Sequence, residues 1–97
     1  MFARVSHYDS GGTRNLDNVR RVLEQISDQT RALPGFQKAY FLVDNASGKG
    51  LSITLWDSEA SVQASAAGAN PLRAQLAQAF GGTGQPAVET YEVVGEV

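Results

Sequence analysis

An α+β fold of the order β-α-β-β-α-β, the split βαβ or ferredoxin-like arrangement, is predicted by three features of the sequence. Segments of period-two alternation open and close the chain, two apolar strand-like runs flank a small polar loop in its middle, and helical apolar stripes occupy the gaps. Strands in this order form an antiparallel sheet with the helices on one face. The 97 residues suffice for one compact core, and neither a linker nor an internal repeat divides them, so residues 1–97 form a single domain.

The first strand spans Phe2–Tyr8, with Ala3 and Val5 on one side and Arg4, Ser6 and Tyr8 on the other, the period of a half-buried strand. Residues 9–15 are turn formers, and Asn15 is placed to cap a helix whose apolar residues recur at Leu16, Val19, Leu23, Ile26 and Leu33. Charged Asp17, Arg20, Arg21, Glu24, Asp28 and Arg31 fall mostly off that stripe. Leu33-Pro34-Gly35 ends the helix, because proline disfavours the helical conformation in the residue before it. Residues 36–44 and 50–57 then read as a hairpin around the loop 45–49. Alternation sets Phe36, Tyr40 and Leu42 against Phe41 and Val43, and Leu51, Ile53 and Leu55 against Trp56.

Ser58 opens an Ala-rich helix to about residue 67, Gly68 interrupts it, and Asn70-Pro71 restarts it, with Leu72, Leu76 and Phe80 as the inward stripe. The Gly-rich run 81–86 ends this helix. In the last strand, residues 87–94, Val88, Thr90 and Glu92 alternate with Glu89, Tyr91 and Val93. The hairpin thus carries bulk on both faces. Helices on one side leave the other apolar face wet, and such patches mark a partner surface, so self-association is expected.

Composition narrows the function classes. At 42% hydrophobic and 19% charged residues the usage is that of an ordinary globular domain. A formal charge of -2, with the Lys and Arg residues scattered, lacks the clustered cations of a nucleic-acid interface. Cysteine is absent, which removes disulfides, thiolate metal sites and a cysteine nucleophile. No apolar run approaches the roughly 18 residues of a membrane span, and no basic-then-apolar leader pattern opens the chain, so a cytoplasmic location is expected.

Three runs carry a resemblance: Leu33-Pro34-Gly35-Phe36, then Ala39-Tyr40-Phe41-Leu42-Val43-Asp44, then Leu51-Ser52-Ile53-Thr54-Leu55-Trp56-Asp57-Ser58-Glu59. They are similar to the antibiotic biosynthesis monooxygenase domain family of dimeric α/β barrels, in which a Pro-Gly-Phe turn enters the second strand and a Trp-x-Ser-x-Glu/Ala element closes the third. The resemblance covers most of the chain and implies homodimers packed through their sheet faces, with a pocket in each subunit between sheet and helices. Members include cofactor-free oxygenases of aromatic polyketides, haem-degrading enzymes and proteins of no assigned activity. In the polyketide oxygenases a tryptophan ending the third strand, an asparagine four residues earlier and an arginine on the last helix serve substrate binding or activation. Trp56 matches the first; Ser52 stands at the second; Ala77 stands at the third, with Arg73 one helical turn earlier on the same face. The asparagine, second tryptophan and helical histidine of the haem-degrading members are absent.

Read as residues, Trp56 can stack on a planar ligand while Ser52 and Thr54 on the same strand face leave space and hydrogen bonds. Its structural alternative is a core indole with a satisfied N–H. His7 is a candidate general base, and Arg4 and Arg73 can hold an anionic substrate or an enolate oxygen. Tyr40 and Tyr91 offer hydroxyls to a quinone-like ligand. The Gly82–Ala87 run follows a helix and precedes a strand, the reverse of a dinucleotide fingerprint; Gly11–Arg14 precedes a helix and reads as a connecting loop. One histidine and scattered carboxylates make no metal site. The resemblance implies a cofactor-independent monooxygenase of a small hydroquinone- or anthrone-like aromatic; on that reading His7 and Arg73 are the candidate catalytic residues, and Trp56, Ser52, Tyr40 and Tyr91 the candidate substrate-binding ones. The alternative is a non-catalytic dimeric barrel that binds a small apolar ligand or serves as an assembly module.

Overall fold

The computed structural model describes residues 1–8, 16–44, 46–81 and 86–97. Its elements are β1 (Phe2–Tyr8), α1 (Leu16–Arg31), β2 (Phe36–Val43), β3 (Gly50–Trp56), α2 (Glu59–Ala64), α3 (Ala66–Ala79) and β4 (Ala87–Glu92). The strands form one sheet in the order β2-β3-β1-β4, antiparallel at every junction. That is the ferredoxin-like α+β topology expected of the element order. The expected cap Asn15 and the glycine-rich runs at 11–14 and 82–84 lie outside the described residues.

Register fixes which side chains share a face, because directly paired residues point the same way. One face carries the rows Tyr40–Ile53–Val5–Glu89, Leu42–Leu51–His7–Ala87 and Lys38–Leu55–Ala3–Tyr91. The other, beneath the helices, carries Ala39–Thr54–Arg4–Thr90 and Phe41–Ser52–Ser6–Val88, with Val43–Gly50–Tyr8 at one end. The side of β1 that faces the helices is therefore the polar one. Arg4, Ser6 and Tyr8 are all buried.

Two local expectations are corrected. Phe36 does not share a face with Tyr40 and Leu42: a β-bulge between Phe36 and Lys38 shifts the register, Phe36 pairs with Trp56, and its ring meets the indole edge-on at 5.6 Å. The second crossover helix breaks at Ser65, not at Gly68. Val62 O, the acceptor that a continuous helix offers to residue 66, receives Ser65 Oγ at 2.9 Å and the Arg4 guanidinium. Gly68 stays helical, and a Cβ there would stand 2.8 Å from Leu33 Cδ2. Pro71 lies inside α3 rather than starting a helix.

The Pro34-Gly35 turn has a steric reason. Gly35 adopts φ 80°, its carbonyl accepts from Asp57 N at 2.9 Å, and an added Cβ would meet Ser61 Oγ at 2.3 Å. At the far end of the sheet a core of Tyr8, Val19, Leu76, Ala77, Ala79 and Phe80 packs α1 and α3 onto β1. The inward residues Leu72, Leu76 and Phe80 are buried as their spacing predicts. Among the described residues no helix is long and apolar enough to cross a membrane.

Candidate functional site

Between the sheet and helices α1 and α3 lies a cavity of about 40 Å³, room for a few water molecules. Its floor is the polar half of two neighbouring strands, Arg4, Ser6 and Tyr8 of β1 and Ser52, Thr54 and Trp56 of β3. Ile26 and Thr30 of α1, Leu72, Arg73 and Leu76 of α3, and Phe41 of β2 close it. A wider groove of about 460 Å³ between α1 and β2 shares Ile26, Thr30 and Phe41 with the cavity. Phe41, 38% exposed, stands between the cavity and the groove and lines both.

The floor is a connected hydrogen-bonded surface. Tyr8 Oη lies 3.2 Å from Ser52 Oγ, and its ring stacks on Phe80 at 5.3 Å. Burial raises the Tyr8 pKa above its ordinary value, against smaller opposing effects from Ser52, Ser6 and the charge of Arg73. Trp56 is 1% exposed and donates its indole N–H to Thr54 Oγ1 at 2.8 Å. It thus offers a ligand an apolar wall, with no donor to spare.

Two guanidinium groups border the same space. Arg4 reaches from the sheet to the break between α2 and α3, donating to Val62 O and, at 3.1 Å, to Ser65 Oγ, with its Cζ 5.1 Å from the Trp56 ring centroid. Burial, and secondarily the charge of Arg73, lowers the Arg4 pKa to about 10. Arg73 donates through Nη2 to Asn70 Oδ1, one turn back on α3. Its Nε and Nη1 are screened from solvent and have no hydrogen-bond partner among the described residues; burial lowers its pKa as well. None of the described residues lining the cavity is acidic.

Of the residues singled out in the sequence, Trp56, Ser52, Arg4 and Arg73 meet at this cavity. Ala77, at the position where the resemblance sets an arginine, is buried in the core cluster instead. His7, Tyr40 and Tyr91 are not brought to the cavity. They occupy the opposite face of the sheet by strand parity: His7 alternates with Ser6 and Tyr8, Tyr40 pairs with Ile53, and Tyr91 pairs with Ala3. There Glu89 links two of them, lying 2.5 Å from His7 Nε2 and accepting from Tyr91 Oη at 2.6 Å. Those bonds hold the Glu89 carboxyl below its ordinary pKa, Tyr91 contributing most, and raise that of Tyr91. Tyr8 and Ser6 are cavity residues that sequence reasoning missed. Their signal was the alternation Arg4-Ser6-Tyr8 set beside Ser52-Thr54-Trp56, two strands with hydrogen-bonding groups on matching parity.

No family model and no curated protein matches the chain. Solved structures do. A monooxygenase from the gene ActVA-Orf6 of Streptomyces coelicolor, in complex with nanaomycin D, superposes with TM-score 0.70 at 20% identity over 99% of this chain and 89% of that one. SnoaB, a cofactor-independent oxygenase from Streptomyces nogalater, gives TM-score 0.70 at 14% identity over 99% and 95%. A dimeric ferredoxin-like protein of unknown function from Jannaschia sp. gives TM-score 0.67 at 12% identity over 96% and 100%. With the register and the placement of the cavity beneath the helices, these likenesses establish that the chain has the fold of the antibiotic biosynthesis monooxygenases.

Proposed function

We propose that the protein is a cofactor-independent monooxygenase of a planar, electron-rich phenol of hydroquinone or anthrone type, working as a homodimer packed through its open sheet faces. The observation that carries this reading is the cavity itself, where Trp56 and Phe41 supply flat apolar walls, Ser52, Tyr8 and Thr54 supply hydroxyls, and Arg73 borders the space with two N–H donors that have no partner among the described residues. The fold shared with oxygenase structures, one of them holding nanaomycin D, supports it.

The chemistry draws its electrons from the substrate. A phenol that has lost its proton to solvent delocalises the charge onto a ring carbon; that carbanion passes electrons to dioxygen and forms a C–O bond, and the resulting peroxide takes up a proton and loses water to leave a carbonyl. For an anthrone methylene, one dioxygen yields one carbonyl and one water. The cavity residues contribute electrostatics rather than a base, since no carboxylate or imidazole lines the described cavity and guanidinium does not release a proton near neutrality. Arg73 stabilises the oxyanion, Ser52 and Tyr8 orient it, and the neighbouring charge of Arg4 favours the ionised phenol over the neutral one. Because the cavity has room for only a few waters, an aromatic enters it by displacing Phe41 toward the groove between α1 and β2.

The test is aerobic turnover of anthrones and naphthohydroquinones in an oxygen electrode, with product read by absorbance. Uptake above autoxidation, one dioxygen per anthrone, falling about tenfold or more in Arg73→Gln, is the expected result. Small cavity volume and the absence of a base among its described lining residues favour the second reading, a dimeric barrel that binds without reacting. Saturable binding with no uptake on any of these phenols selects it.

A further inference from the structure

The cavity holds an unbalanced charge. Arg4 and Arg73 both border it, their guanidinium groups donate to the neutral Val62 O, Ser65 Oγ and Asn70 Oδ1, and neither forms an ion pair among the described residues. A cation wholly or partly withdrawn from water without a countercharge is unfavourable; Arg4 is buried and Arg73 half-buried, and an anion in the cavity would offset both. The two arginines are not equivalent. Arg4 is 4% exposed and anchored at the helix break, a fixed positive charge beneath Trp56, whereas Arg73 keeps Nε and Nη1 unpaired and shielded. Buried donors of this kind are rarely left without a partner.

We infer that the cavity selects ligands that arrive as anions, a carboxylate or an already ionised phenol on a planar ring, with the charge held by Arg73 Nε and Nη1. The inference rests on the reading of the cavity as an aromatic site and narrows it to acids. It explains the absence of a proton acceptor from the described lining: a ligand that enters ionised needs none. Burial and mutual repulsion already disfavour the charged state of Arg4, in agreement with a field that lacks its counterion.

Calorimetric titration of the full chain with matched pairs decides it: benzoate against benzamide, and 2-naphthoate against 2-naphthamide, near pH 7. Each acid is expected to bind roughly tenfold or more tightly than its amide, the difference expected of a charge-assisted hydrogen bond. Arg73→Gln should bring each pair within about twofold, while Arg73→Lys keeps part of the preference. In the unmodified chain the Arg73 Nε–H resonance should move with acid and stay with amide, a readout that needs no variant to fold. Equal affinity for acid and amide overturns the inference and leaves the aromatic site standing. Failure of all four compounds to bind overturns both.

Discussion

Tyr8 shows how one side chain ties the core to the cavity. Its ring lies on Phe80 and its hydroxyl, 3.2 Å from Ser52 Oγ, belongs to the cavity floor. Burial raises its pKa above the ordinary 10.0, so above pH 10 the unfolded chain has released a proton that the folded chain still binds. The sign follows from linkage: this contribution to stability is fully present below pH 10 and is lost as pH rises through the folded-state value. Urea unfolding at stepped pH should show a decline above pH 10 that is shallower in Tyr8→Phe, with the variant about 1 kcal/mol less stable near neutrality for the lost hydrogen bond. Superimposable alkaline slopes would mean that the hydroxyl ionises as freely in the fold as in the coil. The family pattern pointed to Trp56, Ser52 and the neighbourhood of Arg73, yet nothing local marked Tyr8 as inward. The decisive fact is that β1 turns its polar side to the helices, against the usual expectation that Ala3 and Val5 would face the core.

Between elements, Gly50 of β3 lies directly against the Phe80 ring at the end of α3. A Cβ on Gly50 would stand 2.3 Å from Phe80 Cζ, so Gly50→Ala must push the ring off Tyr8 or part helix from sheet. We expect it to lose about 1–3 kcal/mol in chemical denaturation. In a Phe80→Ala background the same change should be nearly neutral, because the atom that it strikes is gone; strictly additive losses would refute the steric account. Element order, helical stripes and strand parity were legible because each is written in local periodicity, as in Leu72, Leu76 and Phe80. Two features were not. The bulge at Phe36 is defined by pairing with β3, and the helix break at Ser65 by Arg4, 61 residues away, so period counting along one segment misplaces both. The same bulge brings Phe36 against Trp56, so a local irregularity shapes the cavity wall.

At the scale of the whole molecule the proposed assembly rests on the open sheet face. Tyr40, Leu42 and Tyr91 are 49%, 47% and 50% exposed there, flanking Leu51, Ile53 and Leu55 on the same side. A second copy laid sheet to sheet, as proposed, would bury this surface, and Ile53, paired with both Val5 and Tyr40, lies inside the patch. Ile53→Asp should sediment at the mass of one chain while keeping its circular-dichroism spectrum; sedimentation at twice that mass, as the unsubstituted chain should show, would move the interface elsewhere. The same face carries the Glu89 carboxylate, held ionised below its ordinary pKa of 4.5 by bonds from Tyr91 and His7. A carboxylate shifted in this direction contributes above its unfolded-state value, and the contribution disappears as pH falls through the lowered one. In a sheet-to-sheet dimer a protonated Glu89 loses its charge-assisted bonds within the interface. Association measured by ultracentrifugation should therefore weaken as pH is taken below 4.5, and Glu89→Gln, neutral at every pH, should flatten that dependence. An equal acid response in both chains would place the sensitive carboxyl outside this face, and with it the argument that His7, Glu89 and Tyr91 serve assembly while the cavity beneath the helices serves the ligand.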